Sequence, residues 1–92
     1  MIVTPWKNNE NLLEAQLCMK EGLSPIMLLR VIPEGNGKYG CAVRDPVNMK
    51  LLASSPIGYG VYATAKIAKK DVIKKAKTFL ELEILEIKQA KK

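Results

Sequence analysis

The stretch Ile67-Ala-Lys-Lys-Asp-Val-Ile-Lys-Lys-Ala-Lys-Thr-Phe-Leu-Glu-Leu-Glu-Ile-Leu-Glu-Ile87 decides how this chain folds. Its first half has helical periodicity, with Val72, Ile73, Ala76 and Phe79 recurring on one side. From Leu80 the pattern changes: Leu80, Leu82 and Ile84 alternate with Glu81 and Glu83, the period of a strand. Wound as a helix, the apolar residues at 79, 80, 82, 84, 85 and 87 would circle it on nearly all sides. The pattern therefore predicts a helix over 67–78, then a strand over 79–88. The competing reading is one long helix to Gln89 that serves an oligomer interface.

The same segment holds a lysine cluster running from Lys66 to Lys77. At about 100° per residue, Lys66, Lys69, Lys70, Lys74 and Lys77 fall within an arc of about 140° beside the apolar side. Lys75 lies apart from them, and Asp71 is on the far side. A phosphate backbone would meet these ammonium groups along about 15 Å of helix, with a steep dependence on salt. The plainer alternative is a solvated face whose lysine stems cover the edges of the core. These five lysines are the candidate polyanion-binding residues.

Composition narrows the classes around that segment. The 92 residues contain no histidine and two cysteines, which removes the commonest general base and metal ligand together. No acid cluster replaces them, so no metal, cofactor or catalytic residue is expected. The net charge of +6 is carried by lysine far more than by arginine. Such a balance suits nucleic acid, an acidic protein face or an anionic surface, through point charges rather than bidentate readout. Cys18 and Cys41 form no Cys-x-x-Cys pair and lie among apolar neighbours, which predicts buried free thiols in a reducing cytoplasm. No apolar run follows a basic cluster at the start, and none approaches the roughly 18 residues of a membrane span.

Upstream, Met1 to Thr4 reads as a short strand ended by Pro5. Asn8, Asn9 and Asn11 are N-cap candidates, and Glu14 stands at capping-box distance from Asn11. With Leu12, Leu13, Ala15, Leu17, Cys18 and Met19 following, and Gly22 as a terminator, the expectation is a helix over 10–21. Ile26 to Ile32, bounded by Pro25 and Pro33, is a buried strand. Asn36-Gly37 signals a type I′ hairpin turn, with Tyr39 to Arg44 as the returning strand. Asp45-Pro46 reads as a cap and first helical residue for a short helix over 47–53. Ser54-Ser55-Pro56 ends it, and Gly58 to Ala65 is a further strand.

Other patterns carry less. Tyr39, Tyr59 and Tyr62 offer rings on which bases stack, but strand tyrosines more often belong to the core. Glu21 to Arg30 has the Gly-x-Ser spacing of a helix-turn-helix corner, which would make 25–32 a recognition helix. Its surface of Ile26, Met27 and Arg30 would be poorly equipped to read base edges. Gly35-Asn-Gly-Lys-Tyr-Gly40 lacks the order of a phosphate loop, and a hairpin explains it. Gly58-Tyr-Gly-Val-Tyr-Ala63, with Ile67 and Val72-Ile73, resembles the opening strands of SET-domain lysine methyltransferases. That resemblance implies a later Asn-His cofactor motif, for which this histidine-free chain has no residue. Glu81, Glu83 and Glu86 lie among lysines, and Asp45 and Glu34 serve a cap and a turn, so paired-carboxylate catalysis has no site.

Together these readings give one domain over 1–92 of α+β class. The expectation is two layers: a mostly antiparallel sheet of four or five strands with two main helices on one face. The expected role is a non-enzymatic binding module for nucleic acid or another polyanion. The alternative is a small protein–protein module (an inhibitor, adaptor or homo-oligomeric subunit) acting through an apolar patch. Neither reading involves a membrane.

Overall fold

Asn9-Glu10-Asn11-Leu12 reverses the chain rather than starting a helix. Glu10 and Asn11 have φ of 48° and 71°, the left-handed pair that a two-residue type I′ hairpin requires. In the computed structural model, which describes residues 1–56 and 60–90, the strand β2 (Lys7–Asn9) turns here into β3 (Leu12–Cys18). This overturns the helix expected over 10–21. Alternation wins over helical spacing, because Ala15 and Leu17 are buried while Glu14 and Gln16 between them stay accessible. Gly22, at φ 82°, serves the β3–β4 connection and closes no helix.

Before β2, the strand β1 (Ile2–Val3) pairs with the other end of β3, so two short strands share one edge of it. Pro5 has no N–H to donate, and the ladder breaks there. Thr4 bridges the gap: its N–H donates to the Gln16 carbonyl at 2.9 Å, and its hydroxyl accepts from the Gln16 N–H at 2.8 Å.

The next two strands lie where the sequence puts them, as β4 (Met27–Pro33) and β5 (Tyr39–Arg44). A strand over 27–33 rules out the recognition helix of a helix-turn-helix. The β4–β5 hairpin forms, but its turn differs in type. Only Gly37 is left-handed, at φ 77°, and the Gly37 N–H donates to the Glu34 carbonyl at 3.3 Å. This is the three-residue loop of a type I turn followed by a left-handed glycine.

Asp45 behaves locally as a cap, but no helix follows it. Its Oδ1 accepts the Val47 N–H at 2.8 Å and the Asn48 N–H at 3.2 Å, forming an Asx turn. The chain then enters β6 (Leu51–Ser54), so the helix expected over 47–53 is replaced by a loop and a strand. Val47 is 92% exposed and has no core to pack against. In the strand expected over 58–65, positions 58 and 59 lie outside the described residues. Of the rest, Tyr62 makes an isolated bridge to Tyr39.

Among the described residues, six strands form one antiparallel sheet, ordered β1-β3-β4-β5-β6 with β2 also on β3. A helix, α1 (Ala65–Ala90), crosses one face of it. The class is α+β as expected, but the described residues hold six strands and one helix rather than four or five strands and two helices. The strand expected over 79–88 is helix, and so is the segment that resembles SET-domain strands at Ile67 and Val72-Ile73.

Leu17, Met27, Leu29, Val31, Cys41 and Val43 point from the sheet to the buried stripe Ala68, Val72 and Ala76. Two alanines in that stripe let the helix backbone approach the sheet closely. At about 1.5 Å per residue the helix is some 39 Å long, whereas seven-residue strands span about 23 Å. It outruns the sheet: Phe79 and Leu80 are half-buried, and Glu81 to Glu86 are all exposed. Among the described residues, no helix is long and apolar enough to cross a membrane.

Candidate polyanion-binding face

The start of α1 is fixed by three contacts. Thr64 caps it, its Oγ1 accepting the Ile67 N–H at 3.2 Å. Nearly two turns in, Asp71 accepts a hydrogen bond from the Tyr62 hydroxyl. Tyr62 is held in turn by backbone bonds to Tyr39, whose N–H donates to the Tyr62 carbonyl at 2.9 Å. The rotation of the helix about its axis is thereby set, with Ala68, Val72 and Ala76 against the sheet. Burial, the Asp71 carboxylate and the adjacent Cys41 thiol all push the Tyr62 hydroxyl well above the usual phenol range, so it stays protonated as a donor.

That rotation carries the five predicted lysines outward together. Lys66, Lys70, Lys74 and Lys77 are exposed. Lys69, nearer the sheet, places its Nζ over the Trp6 ring, 5.6 Å from the centroid. Such a contact contributes about 0.5–1 kcal/mol and leaves the ammonium group charged. Among the described residues none of the five makes a salt bridge. Lys75, which the helical wheel sets apart, pairs with Asp71 at 3.7 Å.

Charge is concentrated on this segment. Residues 66–77 hold six lysines and one aspartate, a net +5 of the chain's +6, whereas residues 1–64 hold six cations and five anions. The first turn of α1 contains no acid. Lys66 therefore sits at the positive end of the helix dipole, which disfavours it and favours an anion.

Trp6 is not recognisable in the sequence as a partner of Lys69, because the two meet only through the fold. Nor is the pair on the sheet's other face, where Arg30 Nε donates to Glu14 Oε2 at 2.8 Å. Tyr39 and Tyr62 pack against the core and offer no stacking platform; Tyr59 lies outside the described residues. Cys18 and Cys41 are buried free thiols, as their neighbours suggested. Among the described residues no cluster of potential metal ligands occurs. Compared with protein families, curated proteins and solved structures, the chain matches none.

Proposed function

We propose that the chain is a non-enzymatic binding module that contacts nucleic acid or another polyanion, without strong sequence preference, through Lys66, Lys69, Lys70, Lys74 and Lys77. The observation that carries this reading is the one-sided charge: nearly all of the net +6 lies on twelve residues of one helix, and Lys66, Lys70, Lys74 and Lys77 among them are exposed on the side away from the sheet. From Lys66 to Lys77 the helix rises about 16 Å, the axial length of about five phosphates on one strand. Lysine supplies point charges suited to phosphate oxygens, whereas base edges are read by forked or amide side chains. An anion at the first turn would also offset the unfavourable placement of Lys66 against the helix dipole. Two buried thiols suit a reducing compartment such as the cytoplasm.

Fluorescence anisotropy with labelled single-stranded and duplex DNA and RNA at low salt tests the reading. Binding is expected to be lost in the triple variant Lys66→Glu, Lys70→Glu, Lys77→Glu. It is expected to weaken far less in a control with Lys20, Lys38 and Lys50 reversed, since these exposed lysines lie outside the helix. Absence of binding, or binding indifferent to the first triple, refutes it.

A second reading, a protein–protein module, is favoured by one observation. Leu82, Ile84 and Leu85 are 56%, 52% and 51% exposed on the part of α1 that outruns the sheet.

A further inference from the structure

The half of α1 beyond the sheet has an unusual surface. Leu82, Ile84 and Leu85 alternate with Glu81, Glu83 and Glu86, all exposed, whereas the half over the sheet presents lysines. One flank of the helix joins the two halves. Asp71, Lys75, Thr78, Leu82 and Leu85 follow at spacings of four, three, four and three residues, the repeat that keeps side chains on one seam of a helix pair. Beside this seam runs an open groove between the helix and β6, with a volume of about 510 Å³. Its lining is partly apolar, with Leu52, Phe79 and Leu82, and partly charged, with Asp71, Lys74 and Lys75.

From these features we infer that the chain self-associates: a second copy packs its α1 antiparallel along this seam, with the twofold axis near Leu80. The argument is self-complementarity. Reversing the helix about that point sets Leu82 beside Thr78 of the other copy, and Leu85 over the stem of its Lys75. Glu86 then comes within reach of the other copy's Lys75, which lies on the same flank of the seam. The acidic end of each helix thus meets the basic half of its mate, and the groove by Phe79 is covered in both copies. A parallel pair would set glutamates against glutamates and lysines against lysines.

The centre of the lysine arc faces a different side of the helix from this seam, by about 130° at 100° per residue, and of the five lysines only Lys74 also borders the groove. Lys66, Lys69, Lys70 and Lys77 consequently stay open in the dimer, which carries two such ridges. The inference does not depend on polyanion binding, and its test reads mass rather than ligand.

Sedimentation equilibrium at about 1 µM and about 100 µM follows the association by mass action. At the higher concentration the expected mass is twice the 10.2 kDa of one chain. Leu82→Glu with Leu85→Glu is expected to weaken association at least tenfold. Both positions are exposed, and unchanged circular dichroism and thermal melting would show that the monomer still folds. Glu86→Lys and Lys75→Glu are each expected to weaken it about fivefold, and the two together to restore it. Mixing Thr78→Cys with Leu82→Cys chains under oxidation is expected to give mainly the mixed disulfide, since Cys18 and Cys41 are buried. A monomer at the higher concentration overturns the inference, as does a dimer indifferent to the leucine changes. Failure of the double reversal to restore association, or cross-links joining identical chains, overturns the antiparallel register.

Discussion

Gly60 leaves no room for even a single added methyl group. A Cβ built there would stand 2.6 Å from the Cβ of Lys38, 2.7 Å from Oδ1 of Asn36 and 3.0 Å from the Lys38 carbonyl carbon. Carbon–carbon contacts settle at about 3.5–4.0 Å, so Gly60→Ala forces an overlap near 1 Å. The lysine Cβ and backbone carbon are not flexible ends that swing aside, so the chain at residue 60 must move. That movement pulls on the Val61 and Tyr62 N–H groups, which donate to the Tyr39 carbonyl at 3.1 and 3.0 Å, and so on the approach to α1. Overpacking of this kind costs about 1–3 kcal/mol. For a domain of this size that lowers the melting midpoint by about 10 °C, read by circular dichroism. Gly35→Ala is the control: the residue has an ordinary φ and nothing within 4 Å of an added Cβ. It should leave the midpoint unchanged or raise it slightly. A Gly60→Ala protein as stable as Gly35→Ala would refute the claim that this contact holds the helix approach in place.

Two further outcomes follow from the same packing. Val72 is fully buried at the centre of the helix–sheet contact, so Val72→Ala should cost about 2–3 kcal/mol in urea unfolding, from two lost methyls and the space they leave. An equal loss on Val47→Ala, at an exposed site, would contradict that core. The Tyr62 hydroxyl ionises in the folded chain only above its ordinary range, so folding opposes its ionisation. Its stabilising share is full below a pH of about 10, the ordinary phenol value, and fades as the pH rises beyond it. Tyr62→Phe should therefore lower stability at neutral pH and remove the steepest part of alkaline unfolding. An unaltered alkaline limb in that variant would argue against the Tyr62–Asp71 bond.

The sequence was legible where punctuation agreed with pattern. β4 and β5 are flanked by prolines and a glycine-rich turn, and they fall at or within one residue of their expected bounds. β3 was misread because Leu12, Leu13, Ala15, Leu17 and Cys18 satisfy both periods. What separates them is the left-handed pair Glu10–Asn11 and the register on β4, with Ala15 opposite Leu29, neither of which spacing reveals. The end of the chain was misread for a different reason. Alternating Leu and Glu implies a strand only if one face is buried against a neighbour, and among the described residues no layer covers the helix beyond Leu80 to enforce that. Helix propensity and continuation from the preceding turns prevail, and the apolar side chains are left facing out. The lysine arc was readable because it depends on helical geometry alone, and the helix is present throughout 66–77. Its neighbour Trp6, sixty-three positions away, was not.

The slope of log Kd for single-stranded DNA against log salt concentration tests the lysine ridge most directly. Five neutralised phosphates should give a slope of about 3.5 in magnitude, and a more than hundredfold loss of affinity between 50 and 200 mM salt. Reversing Lys66, Lys70 and Lys77 should bring it to about 1.4 or below. A slope near zero in the native chain, or one that the three reversals leave intact, would contradict a ridge of amines as the binding surface.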